Sequence, residues 1–273
     1  METINLKKIQ KIELEITNDI FELCRKNKLT CVLTGGSCLG AIRHQGMIPW
    51  DDDIDLAMPR KDYEKFIQLC KTELDSKYFF QHFDTEKNCA YIFGKVRKNN
   101  TRLSEKYSHN IDMHQGIWVD IFPYDNVSDN KVKRKIDNWL ISFYKYLLIV
   151  KVGFKMPENR SVLLYGFYYV AKFISFFFSI QFLKKKLKKH MCKHNRENTK
   201  EICTYAGAYG ASEFMPNDLF CNPIEVDFDG YKFFTFKNYD MYLSKLYGDY
   251  MTPPPPEKRT GGNHFINDFD CGE

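Results

Sequence analysis

The chain has 273 residues, 44% of them hydrophobic and 27% charged, which allows a sizeable core and excludes a disordered polypeptide. Its formal net charge of +5 is local: residues 131–200 hold 17 Lys and Arg against three acids, Asp137, Glu158 and Glu197. That asymmetry implies a local partner, and the absence of a recognised binding module in the basic stretch argues against nucleic acid.

Residues 4–27 place Ile9, Ile12, Ile16, Ile20, Leu23 and Cys24 at three- and four-residue spacings, which predicts one amphipathic helix packed on a sheet. This first segment carries acids throughout, unlike a secretory or transit peptide, so a cytoplasmic chain is expected. Nine cysteines, odd in number and without zinc-ligand spacing, read as reduced thiols.

From Cys31 a short apolar run predicts a strand, Gly35 and Gly36 a tight turn, and Ser37 the start of a helix that Gly46 closes. After Pro49 and Trp50 come Asp51, Asp52, Asp53 and Asp55. On a strand, the period of two sets Asp53 and Asp55 on one face, Ile54 and Leu56 on the core face, and turns Asp52 away from the pair. Two carboxylates one pleat apart repel each other unless a cation lies between them, and hard oxygen ligands suit Mg²⁺ or Mn²⁺. The glycines let backbone approach a phosphate, whose oxygens the amides of the next helix would bind. A solvated acidic turn is the competing reading.

Arg60–Leu74 predicts a second helix, and residues 78–83 and 90–96 predict strands, which together give mixed α/β alternation. Alternation puts Lys95 and Arg97 on one side, where they would neutralise a diphosphate or simply face solvent at a strand end. His109 and His114, in the following loop, receive no role. Asp120 interrupts an apolar strand, a costly burial that a metal would compensate.

Lys131–Val152 predicts another helix. Residues 161–183 then hold a single charge, Lys172, and Lys184, Lys185, Lys186, Lys188 and Lys189 follow at once. A membrane span, a buried core helix and an interfacial helix or hairpin compete here, and only the last explains both the aromatics and the lysines. Asp229-Gly230 predicts a β-hairpin turn, Asn238 and Gly248 bound a short helix, and four prolines forbid helix in the tail.

The run GGSCLGAIRHQGMIPWDDDIDLAMPRKDYEKF resembles the LicD family almost continuously, and so do HQGIWVDIFP and the closing block LYGDYMTPPPPEKRTGGNH. The resemblance implies a nucleotidyltransferase-like α/β fold over residues 1–273, a mixed sheet flanked by helices, with a basic aromatic helical insertion at 130–200. It implies metal-dependent transfer of phosphocholine from CDP-choline to a sugar hydroxyl of a cell-surface glycan (teichoic acid, lipopolysaccharide or capsule precursor), releasing CMP. Fukutin-related members imply ribitol-phosphate or glycerol-phosphate from the corresponding CDP-alcohol instead. In that pattern Asp53, Asp55 and Asp120 hold Mg²⁺ or Mn²⁺, with Asp120 either a third ligand or the base. Gly35, Gly36, Ser37, Arg43, Lys95 and Arg97 hold the donor's phosphates, and Trp50 stacks on the base, faces a trimethylammonium group or packs. Arg259 and His264 form a lid over the donor or an ordinary tail, and the block carries one histidine where many members carry two. A basic aromatic segment at 139–189 fits association with the inner face of the cell membrane and a lipid-linked acceptor. A non-catalytic nucleotide-binding membrane scaffold is the alternative of another class.

Overall fold

The structure is a computed structural model that describes residues 6–155, 162–207, 209–259 and 266–272. Helix α1 (Leu6–Lys26) buries Ile9, Ile16 and Ile20 and ends in Arg25 and Lys26, whose charges favour the helix C-terminus. Strand β1 (Val32–Leu33) leads into α2 (Gly35–His44), β2 (Asp55–Pro59) and α3 (Arg60–Cys70). Strands β3 (Tyr78–Gln81), β4 (Gly94–Lys98), β5 (Arg102–Glu105) and β6 (Trp118–Asn126) follow. Three helices come next, α4 (Lys131–Val152), α5 (Val162–Phe176) and α6 (Ile180–Met191). The chain closes with β7 (Glu201–Cys203), β8 (Met215–Pro216), β9 (Ile224–Phe228), β10 (Tyr231–Thr235), α7 (Tyr239–Tyr247) and β11 (Ile266–Asp270).

The main sheet is mixed, ordered β3-β4-β6-β2-β1-β10-β9, with β7 and β8 continuing from β6. Parallel pairing occurs between β2 and β6 and between β1 and β10. One face carries Leu33, Leu56, Met58, Val96, Val119, Ile121 and Phe233 under α1 and α3; the other packs Val32, Ala57 and Tyr124 against α2 and α7. Asp229 and Gly230 both take positive φ (48° and 83°), as the two-residue turn between β9 and β10 demands.

Several boundaries differ from expectation. Helix α2 begins at Gly35, not Ser37, and its left-handed closing residue is Gln45 (φ 54°), not Gly46. The strand predicted at 90–96 forms only from Gly94, because Ala90 and Ile92 turn instead into the core of the helical segment. Asp53 lies in the extended approach to β2, which starts at Asp55. The small β5–β11 sheet had no signal in the sequence reading.

The apolar stretch divides. Helices α5 and α6 meet at 105°, and no single helix among the described residues is long and apolar enough to cross a membrane. The Ser179 side chain accepts from the Phe182 amide and caps α6, so the lysine run is helical. Part of that run turns inward: Lys184 is buried and donates to the carbonyls of Phe83, Glu86 and Lys87 at 3.0, 2.8 and 2.9 Å, and Lys188 pairs with Glu64 at 3.0 Å. Helices α4 to α6 share a core of Ile141, Leu147, Leu148, Leu183, Leu187 and Met191 with Phe83, Ala90 and Ile92. Helix α5 nevertheless leaves Phe167, Tyr169, Val170, Phe173 and Phe176 exposed, Phe176 at 76%.

Candidate active site

Strand register assembles the centre of the site. Asp55 of β2 is the partner of Asp120 on β6, and Asp120 is the partner of Lys95 on β4, so one row crosses three neighbouring strands. Residues paired across a sheet share a face, here the face away from α1. Lys95 Nζ donates to both Asp120 oxygens, at 2.8 and 3.0 Å, and the two residues are 1% and 3% exposed. The Lys95 ammonium also lies 4.3 Å from the Trp118 ring and 4.7 Å from that of Tyr91. Lys95 thus supplies a compensating charge for the buried Asp120 that the sequence did not point to.

Asp53, Asp55 and Asp120 line one cavity of about 250 Å³ with Thr34, Gly35, Phe93, Phe122, Tyr124, Tyr209, Glu213 and Tyr242. Burial raises the carboxyl pKa of Glu213 and the hydroxyl pKa of Tyr209. The aromatic wall and Glu213 had no signal in the sequence, since Tyr209, Glu213 and Tyr242 come from the return of the chain after residue 200 and Phe93, Phe122 and Tyr124 from strands whose pairing no local pattern reveals.

The glycine pair does more than turn the chain. Gly35 has φ +53°, and a Cβ there would stand 3.1 Å from an Asp55 oxygen; at Gly36 it would stand 2.9 Å from an Asp51 oxygen. The positive φ makes a side chain at Gly35 strained, and one at Gly36 would crowd the Asp51 carboxylate. Tyr242 of α7 fixes this turn, accepting from the Gly35 amide at 3.0 Å and bonding Thr34 Oγ1 at 2.6 Å.

Ser37 and Arg97 stand elsewhere than the phosphate contacts expected of them. Ser37 is buried, and its hydroxyl accepts from the Asp55 amide at 2.8 Å, so it sets the start of β2. Arg97 is buried on the same strand face as Lys95, but Nε donates to Gln81 at 2.7 Å and a terminal nitrogen to the Gly116 carbonyl at 2.6 Å. Neither residue lines the cavity.

Arg43 and Trp50 form a separate group. Arg43 donates to the Tyr250 carbonyl at 2.8 Å and to His44 Nε2 at 3.0 Å. Arg259 lies 5.1 Å over the Trp50 ring and donates to the Pro254 carbonyl at 2.8 Å. Both guanidiniums thus rest on neutral partners, and burial together with the neighbouring Arg259 lowers the Arg43 pKa. Burial and these two cations also lower the pKa of His44. Two facing cations of this kind suit a phosphate. His264 lies outside the described residues.

Among the described residues, the side chains of Asp51, Asp52 and Asp53 bring ligand oxygens within 4.8 Å of one another. An all-oxygen donor set, with a backbone approach that any Cβ would obstruct, fits a hard divalent cation. Asp53 of this group lines the cavity together with Asp55 and Asp120.

Residues 28–148 match the family described as the LicD/FKTN/FKRP nucleotidyltransferase domain. The lipopolysaccharide cholinephosphotransferase LicD of Haemophilus influenzae is 30% identical over 274 residues, covering 94% of this chain and 95% of that protein. An uncharacterized protein of Rickettsia prowazekii is 42% identical over 104 residues, 34% of this chain and 39% of its own. The ribitol 5-phosphate transferase FKRP of Mus musculus is 33% identical over 108 residues, 40% of this chain and 19% of its own.

Proposed function

The chain belongs to the LicD family, and from that premise we propose that it transfers phosphocholine from CDP-choline to a sugar hydroxyl of a cell-surface glycan, releasing CMP. The observation that carries this reading is the cavity, in which Asp53, Asp55, Asp120 and Glu213 share walls with Phe93, Phe122, Tyr124, Tyr209 and Tyr242. Aromatic faces and carboxylates together suit a quaternary ammonium group. The full-length match to a protein named for cholinephosphate transfer supports the same substrate.

In this reading the sugar oxygen attacks the phosphorus that bears choline. The bond from that phosphorus to the bridging oxygen breaks, CMP leaves with the oxygen and the electron pair, and the hydroxyl proton passes to a carboxylate. In this reading Asp120, paired with Lys95, would accept that proton or bind the cation. Asp53, Asp55 and Asp120 would hold Mg²⁺ or Mn²⁺, which neutralises the diphosphate when bound. Arg43 and Arg259 take the charge of the CMP phosphate, and Trp50 holds Arg259 by its ring. Ser37 and Arg97 fix the strands that carry these groups.

The test is CMP release from CDP-choline, CDP-ribitol and CDP-glycerol, each with glycan acceptor and Mn²⁺. CDP-choline is expected to give the highest kcat/KM and chelator to abolish release. Preference for CDP-ribitol would transfer the reading to that alcohol, and no acceptor-dependent release from any donor would leave only a nucleotide-binding scaffold.

The reading also locates the protein at the inner face of the cell membrane, with α5 against the lipid and a lipid-linked acceptor within reach. Exposed Phe167, Tyr169, Phe173 and Phe176, with exposed Lys185 and Lys189 on α6, support an interfacial seat. Burying one phenylalanine contributes about 1.5–3 kcal/mol, so Phe173→Ser/Phe176→Ser is expected to weaken flotation with anionic vesicles about tenfold or more. Unchanged flotation would remove α5 from the contact, and release of the wild type only by detergent would mean insertion.

A further inference from the structure

Among the carboxylates that line the cavity, Glu213 has no part of its own in the transfer chemistry. Asp120 is paired with Lys95, and Asp53 and Asp55 are the acids proposed with it for the ion. Glu213 is only 5% exposed, yet it makes no ion pair among the described residues. Its Oε1 accepts from the Tyr209 amide at 3.1 Å. Burial raises its carboxyl pKa against the pull of that amide, and no cation acts on it. A buried carboxyl held by one neutral donor gains most from a cation brought to it.

The backbone around Glu213 holds the carboxylate in the cavity wall. The short helical turn Gly210–Glu213 follows Tyr209 directly, so the amide at its entry reaches the side chain at its end. A Cβ at Gly207 would collide with the Glu213 carboxylate, and the glycine leaves it room. Tyr209 also lines the cavity, and its ring stands edge-on to that of Tyr247, with centres 5.3 Å apart and hydroxyls 3.1 Å apart. Phe93, Phe122, Tyr124 and Tyr242 supply further rings. At about 250 Å³ the cavity is smaller than the roughly 300–1,000 Å³ of pockets that take a whole drug-sized ligand, and it suits a head group. A quaternary ammonium has no N–H to donate, so ring faces and one negative charge recognise it. The hydroxyls of ribitol or glycerol need hydrogen-bond partners that ring faces do not supply.

We propose that Glu213 is the counter-ion of the choline head group and the residue by which the protein prefers choline to an uncharged alcohol, with Tyr209 and the neighbouring rings against the methyl groups. This inference rests on the choline reading of the same cavity, and it adds which carboxylate recognises the charge.

The experiment measures binding of CDP-choline and CDP-ribitol by titration calorimetry, with Mn²⁺ and without acceptor, in wild type, Glu213→Gln and Glu213→Asp. Gln keeps the length of the side chain and an oxygen for the Tyr209 amide while removing the charge. Wild type is expected to bind CDP-choline more tightly than CDP-ribitol, and Glu213→Gln to narrow that preference about tenfold or more. Glu213→Asp keeps the charge and is expected to retain most of the preference. In turnover with saturating glycan acceptor, the loss in Glu213→Gln is expected in KM for CDP-choline and not in kcat, because the ammonium keeps its charge throughout the reaction. A residue that only supports the fold would weaken both donors alike, and that result would overturn the inference. So would a full preference for CDP-choline in Glu213→Gln, which would leave the choline reading standing. A wild type without preference for CDP-choline would overturn that reading and the inference with it.

Discussion

Asp55→Asn is expected to lower acceptor-dependent CMP release by about 10²- to 10³-fold, the usual cost of removing one electrostatic group from a transition-state site. The substitution keeps the size of the side chain, and the Ser37 hydroxyl continues to accept from the backbone amide of residue 55. The row to Asp120 is likewise a backbone register, so the fold is expected to stay intact by circular dichroism and the melting temperature to stay within a few degrees. Asp53→Asn is expected to behave in the same way, since Asp53 lines the same cavity. Steady-state CMP release with and without chelator checks both. Activity within tenfold of wild type in either variant would remove that carboxylate from the chemistry.

The largest expected effect on stability falls on Lys95. Lys95→Met leaves Asp120 buried without its principal cation, and breaking one side of such a pair costs about 3–5 kcal/mol. In a chain of this size that corresponds to a fall in Tm of roughly 10 °C. Lys95→Met/Asp120→Leu removes both charges together and is expected to recover most of the loss, because uncharged side chains of similar volume need no compensation. Transfer is expected to stay abolished in the double variant, because Asp120 is one of the three carboxylates proposed for the chemistry. Urea unfolding of the two single variants and the double one measures the coupling. A cost below about 1 kcal/mol for Lys95→Met would mean that another group neutralises Asp120.

The Ser37 and Arg97 results show why similarity in pattern leaves roles open. The pattern assigns phosphate contacts to both residues, but neither lines the cavity and both hold strands, Ser37 through the Asp55 amide and Arg97 through Gln81 and Gly116. A hydroxyl or guanidinium near a site serves whichever acceptor lies nearest, and that acceptor is chosen by packing. The lysine run divides for the same reason. Lys184 finds three carbonyls of the loop after β3, while Lys185 and Lys189 on the same helix remain exposed.

The sequence by itself determined the elements that repeat at a local period. Helices α1 and α3 follow from apolar spacing of three and four, the β9–β10 hairpin from Asp229-Gly230, and the core side of β2 from the alternation of Ile54 and Leu56 with the acids. It also indicated the face shared by Asp53 and Asp55, since a pleat of two holds even where the strand begins late. Only the tertiary structure decided which distant groups meet there. Lys95 reaches Asp120 across 25 residues because β4 and β6 pair in one register. The aromatic wall arrives from residues separated by more than a hundred positions. Local periodicity is written in the chain, but strand order and register are set by the burial of whole faces, and no single segment carries them.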